Sequence, residues 1–151
     1  MGSSLVKIDI HLIFHVKTTS PLIVPDDLEH LFKYIKRIIT NIGGVLIQTG
    51  GDSDHIHILS SLPKDMSVSE FVKTIKVDSS KWIKTIRSDY THFAWQKGYG
   101  AFSVSPSVLN DVIQYIKNQA EHHRVKTFQE EYKMLLDAYG VDYDEQYIFC
   151  D

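Results

Sequence analysis

An α+β domain, with a central antiparallel sheet of about four strands and helices mainly on one face, is predicted by three features of the sequence. Strand-like and helix-like stretches interleave in the order β-α-β-β-α-β-α-α. Residues 8–16 alternate between apolar and polar at a period of two, as a strand covered on one face does. Two capping boxes, Ser67-Val68-Ser69-Glu70 and Thr127-Phe128-Gln129-Glu130, mark later helix starts. The chain has 151 residues, the size of one domain, and residues 1–151 are read as one.

In the first strand Ile8, Ile10, Leu12, Phe14 and Val16 share a face, with Asp9, His11 and His15 on the other. After Pro21 and Pro25, Asp26 or Asp27 is expected to cap a helix. Leu28, Leu31, Phe32, Ile35, Ile38, Ile39 and Ile42 recur there at intervals of three and four, and Gly43-Gly44 ends it. Residues 45–49 and 55–61 read as a β-hairpin turning over 50–54. Ser67 opens a second helix through Phe71, Ile75, Trp82, Ile83 and Ile86. Residues 99–105 form the fourth strand, and Ser105-Pro106-Ser107 starts a third helix over 108 to about 123. The last helix begins at the second capping box and closes at Gly140.

Composition excludes several classes of protein. The net charge of −3 argues against coating long duplex DNA by bulk electrostatics. A local basic patch remains: Lys73, Lys76, Lys81, Lys84 and Arg87 lie close together along the second helix, as a phosphate-contacting face or as an ordinary solvated one. The single cysteine, Cys150, cannot form an internal disulfide and points to a reducing compartment. No apolar run approaches a membrane span and no leader precedes the first strand, so a cytoplasmic, non-membrane protein is expected.

The chemistry concentrates in "GGDSDHIHILSSLP". His55 and His57 are two apart on a strand and project together, while Ile56 and Ile58 point into the core. Two imidazoles on one face beside Asp54 are half of a metal site, or a pair on the open face of a sheet. In "VLNDVIQYIKNQAEHH", Val112, Ile113, Ile116 and Ala120 build an apolar stripe, and Tyr115 and Gln119 stand one above the other on a neighbouring face. That pair can offer a nucleophile and a neutral oxygen ligand, or an amphipathic tyrosine at the core's edge. His122 and His123 read as surface residues at the helix C-terminus, where positive charge suits the dipole.

These residues carry a resemblance. The chain resembles the single-tyrosine HUH transposases of the insertion sequence 200/605 class: "GGDSDHIHIL" matches their His-hydrophobic-His strand and "YIKNQAEHH" their tyrosine helix, with its glutamine four residues on. "KVDSSKWI", "FAWQKGYGAFSVS" and the trailing "F..E" of Phe128 to Glu131 follow in the same order and spacing. One stretch departs from the pattern: "HVKTTSPLI" keeps only Lys17 where relatives carry several basic residues.

The resemblance implies a ferredoxin-like HUH nuclease fold in which His55, His57 and Gln119 hold a divalent cation, Mg²⁺ or Mn²⁺. Tyr115 is then the nucleophile, attacking single-stranded DNA to give a 5′-phosphotyrosine and a free 3′-OH. It also implies DNA ends with subterminal hairpins as substrate, and a homodimer whose active sites are completed in trans. The helix carrying Lys73, Lys76, Lys81, Lys84 and Arg87 and the aromatic segment 93–102 become the expected DNA contacts. Two further possibilities stand beside this one. The first is a domesticated HUH nuclease acting on repeated palindromes. The second is a metal-free ferredoxin-like binding module with His55 and His57 as ordinary surface residues.

Overall fold

The computed structural model describes residues 4–119 and 126–149. The strands are β1 (Asp9–His15), β2 (Leu46–Gly51), β3 (His55–Ser61) and β4 (Gly100–Val104), and the helices are α1 (Pro25–Asn41), α2 (Val68–Ile86), α3 (Leu109–Lys117) and α4 (Phe128–Ala138). All strand pairs are antiparallel, in the order β2-β3-β1-β4, which places β1 and β3 at the centre. Among the described residues no helix is long and apolar enough to cross a membrane.

Alternation on the central strands sends side chains to two different interiors. Ile10, Leu12 and Phe14 of β1, with Ile56 and Ile58 of β3, pack against Leu31, Ile35 and Ile39 of α1 and Phe71 and Ile75 of α2. The opposite face carries Ile13 and Phe102 against Phe128, Tyr132, Leu135 and Leu136 of α4. It also carries Leu59 and Val104 against Ile116 of α3. Helices therefore cover both faces of the sheet, where the alternation pointed to mainly one, and every residue of β1 is buried.

Two glycines permit that second covering. A Cβ on Gly50 would lie 2.3 Å from the carbonyl oxygen of Ile116, so only glycine lets α3 sit this close to β2. A Cβ on Gly100 would come within 2.9 Å of the Tyr132 ring, and its absence seats α4 on the sheet.

Three helix boundaries differ from expectation. Helix α1 is capped by Val24 with Pro25 in its first turn, and neither Asp26 nor Asp27 supplies a side-chain cap. Asp27 turns inward instead, accepting from Arg87 Nε at 2.6 Å and from the Tyr90 hydroxyl at 2.5 Å. Pro106–Val108 forms a separate 3-10 turn, so α3 starts at Leu109. It ends at Lys117 with Asn118 as its cap, and the expected continuation to about 123, with Ala120, His122 and His123, lies outside the described residues, as does Cys150. Both capping signals hold: Ser67 Oγ accepts from the Glu70 amide at 3.1 Å, and Thr127 and Glu130 form a reciprocal box.

Candidate active site

The two histidines of the hairpin strand are not on an open surface. His55 and His57 are both 0% exposed, because α3 and α4 close over the face of β3 from which they project. Burial removes the possibility that they are ordinary surface residues. Imidazoles in such a place need partners for both ring nitrogens.

The partners are specific. His55 Nδ1 meets Asp54 Oδ1 at 2.7 Å, and His57 Nδ1 meets His11 Nε2 at 2.8 Å. Both Nε2 atoms turn the same way, to Glu131 Oε1, at 3.2 Å from His55 and 3.1 Å from His57. Gln119 adds its Oε1 at 3.1 Å from His55 Nε2 and donates its Nε2 to Glu131 Oε2 at 3.1 Å. Tyr115 donates its hydroxyl to that same Glu131 oxygen, and its ring lies 5.9 Å from that of His57. The Tyr115 and Gln119 side chains expected on one face do converge, both donating to Glu131 Oε2, although Gln119 sits just beyond the end of α3.

Electrostatics follow from this packing. Burial alone would depress His55, but hydrogen bonds to Asp54 and Glu131 outweigh it and raise the imidazole to about 9. Burial keeps His57 below its ordinary value and takes His11 down to about 3. Burial acts to raise Glu131, yet the hydrogen bonds from His55 and His57 hold its carboxyl well below the usual carboxylate range. Tyr115 is pushed well above the ordinary phenol range, first by burial and then by the Glu131 carboxylate. The cluster thus places anionic oxygen and one imidazolium where a cation can be exchanged for a proton.

Its donor set fits a divalent metal. Ligand atoms of His55, His57 and Glu131 all lie within 4.8 Å of one another, and two imidazole nitrogens with one carboxylate oxygen suit Mn²⁺ or Mg²⁺ better than two imidazoles and an amide. Glu131 had no assigned role in the sequence. The signal was present in the "F..E" of the last helix, but only the fold carries that residue across to β3.

The remaining predicted contacts separate. Lys73, Lys81 and Lys84 are exposed along α2, which packs on the sheet face opposite the histidines. Lys76 is committed internally: its Nζ donates to the carbonyls of Gln96 at 2.8 Å and Gly98 at 2.6 Å, and burial lowers its ammonium to about 8. Arg87 is paired with Asp27. In the aromatic segment Phe93 and Trp95 belong to the main core and Phe102 to the second, which removes these three rings from base stacking. Tyr115, His55, His57, Gln119 and Glu131 meet within a single chain, with α3 seated close to β2 at Gly50.

An antiparallel four-stranded sheet whose His-hydrophobic-His strand faces a helical tyrosine defines a class, the HUH DNA-processing enzymes. The chain belongs to the transposase IS200-like family, whose profile matches residues 4–119 and stops short of α4. A candidate transposase from Deinococcus radiodurans superposes with a TM-score of 0.61 at 22% identity, covering 79% of this chain and 95% of that one. A REP-associated tyrosine transposase bound to a REP hairpin superposes at 0.60 with 13% identity, over 82% of this chain and 73% of the other. Likeness at these identities is likeness of fold. No curated protein sequence matches the chain.

Proposed function

We infer that this transposase cuts and rejoins single-stranded DNA through Tyr115, with His55, His57 and Glu131 as metal ligands and Gln119 Oε1 as a further oxygen donor. One observation carries the assignment: the Tyr115 hydroxyl and the two imidazole Nε2 atoms meet on the two oxygens of a single buried carboxylate. When bound, Mg²⁺ or Mn²⁺ would polarise the scissile phosphate and offset the charge developing on it.

The chain's own residues do the rest. Tyr115 Oη forms the bond to phosphorus while the bond to the 3′ oxygen breaks, leaving a 5′-phosphotyrosine and a free 3′-OH. Glu131 Oε2 already accepts from the phenol, so it is the base at hand for the departing proton. Burial and the neighbouring Glu131 carboxylate keep the resting phenol protonated and therefore a weak nucleophile. The covalent link conserves the phosphodiester bond, so transfer to a second strand needs no nucleotide cofactor.

Hairpin-bearing DNA is the substrate class we assign, supported by the hairpin held by the structurally similar REP-associated transposase. Exposed Lys73, Lys81 and Lys84 are assigned to backbone contacts away from the reaction centre. We take the site as acting in cis, supported by the meeting of Tyr115, the histidines and Glu131 within one chain; a homodimer that completes the site in trans is the alternative that subunit mixing tests.

The decisive experiment incubates the protein with labelled single-stranded DNA from the flanks of its gene and Mn²⁺, followed by denaturing electrophoresis. Wild type should give a covalent adduct mapping to Tyr115. The Tyr115→Phe variant should give none while remaining folded, at a cost of about 1–3 kcal/mol, since one hydrogen bond to a buried carboxylate is removed. Cleavage by that variant at the wild-type rate would make water the nucleophile.

A further inference from the structure

His11 has no place in the chemistry above, yet it is 2% exposed and makes one of the shortest polar contacts in the cluster. It lies on β1, two residues from Ile13, which is directly opposite His57 in the sheet. Its ring stacks on that of His57 at 5.0 Å and meets Phe102 and Tyr115 edge-on at 6.1 and 6.4 Å. Such tight enclosure leaves the His57 Nδ1 atom facing His11 Nε2 at 2.8 Å.

The two candidate ligands are therefore oriented by different kinds of partner. His55 Nδ1 faces a carboxylate, which can only accept, so the proton of a neutral His55 is drawn to Nδ1 and Nε2 is left with its lone pair. His57 Nδ1 faces another imidazole, which accepts at Nε2 in one tautomer and donates there in the other. For His57 Nε2 to offer a lone pair, its own proton must sit on Nδ1, and His11 Nε2 must then be the acceptor. With the tautomers reversed, His57 Nε2 carries a hydrogen that suits Glu131 and blocks a cation.

We propose that His11 is a positioning residue that sets the tautomer of His57 and thereby tunes metal affinity at the site. This rests on the metal assignment above. His11 touches no metal or substrate. It acts by accepting the Nδ1 proton of His57, the outer hydrogen bond that metal-binding histidines use to hold ring orientation and basicity.

The test is Mn²⁺ binding to the full chain without DNA, followed by electron paramagnetic resonance, in wild type, His11→Phe and His11→Gln. Phenylalanine fills the space but accepts nothing, and should weaken Mn²⁺ roughly 10–100-fold. Glutamine places an amide oxygen near the position of Nε2 and should recover affinity to within a few-fold of wild type. Unchanged Mn²⁺ affinity in a folded His11→Phe protein would overturn the proposal while leaving the metal assignment intact. Failure of wild type to bind Mn²⁺ would overturn both. Should His11→Phe not fold, nitrogen-15 spectra of Mg²⁺-loaded wild type decide: an unprotonated His11 Nε2 accepting from His57 Nδ1 supports the proposal, and a proton on His11 Nε2 refutes it.

Discussion

Glu131→Gln removes one charge from the carboxylate that His55, His57, Gln119 and Tyr115 all share. Glutamine keeps the length of the side chain but turns one acceptor oxygen into a donor, facing groups that already donate. In the metal-free chain the cost falls on His55. Its pKa is raised to about 9 because hydrogen bonds to Asp54 and Glu131 outweigh burial. Without Glu131 the imidazolium must either stay charged beside Asp54 alone or shed its proton. Shedding it at pH 7, about two units below that pKa, costs about 3 kcal/mol, the lower edge of the penalty for breaking a buried pair.

The sign is that of a raised pKa. The stabilisation is fully present below the ordinary histidine value of 6.5 and is lost as pH rises through about 9. Thermal unfolding with a chelator present should therefore place the variant about 6–12 °C below wild type near pH 7, with the gap closing toward about pH 10. Mn²⁺ binding should weaken in parallel. A variant melting within about 2 °C of wild type near pH 7, with unchanged Mn²⁺ affinity, would refute the assignment of Glu131 as the centre of the cluster.

Two other outcomes follow from the geometry. If the tyrosine and histidines that meet within one chain also act within it, mixing Tyr115→Phe with His57→Ala subunits should restore no adduct formation; recovery after proven subunit exchange would mean that α3 is traded between copies. Asp27, held below the usual carboxylate range by hydrogen bonds from Arg87 and Tyr90, adds stability that is present above about pH 4 and lost as pH falls through its folded value. Asp27→Asn should thus cost about 1–3 kcal/mol near pH 7 in urea unfolding and much less near pH 3. An equal loss at both would assign its effect to packing.

Local signals carried most of the fold. Alternation located β1 and the β2–β3 hairpin, periodicity located the helices, and the capping boxes opened α2 and α4 close to the positions read from the residues. These features depend on residues within a few positions of one another, and they hold where no distant group competes for the same atoms. The Asp27 cap failed for a non-local reason, because Arg87, sixty positions away, competes for the same carboxylate.

The site divides along the same line. The placement of His55, His57, Tyr115 and Gln119 was legible from spacing that sets direction: two apart on one strand, and four apart along a helical register, although Gln119 falls just past the end of α3. The second covering of the sheet, the close seat of α3 at Gly50, the commitment of Lys76 to backbone carbonyls and the place of His11 behind His57 required the tertiary structure. So did Glu131, which belongs to α4 but meets histidines 74 and 76 residues earlier in the chain. No periodicity encodes those encounters. They arise because a sheet with an apolar second face must be covered, and the helices that cover it bring their polar residues with them.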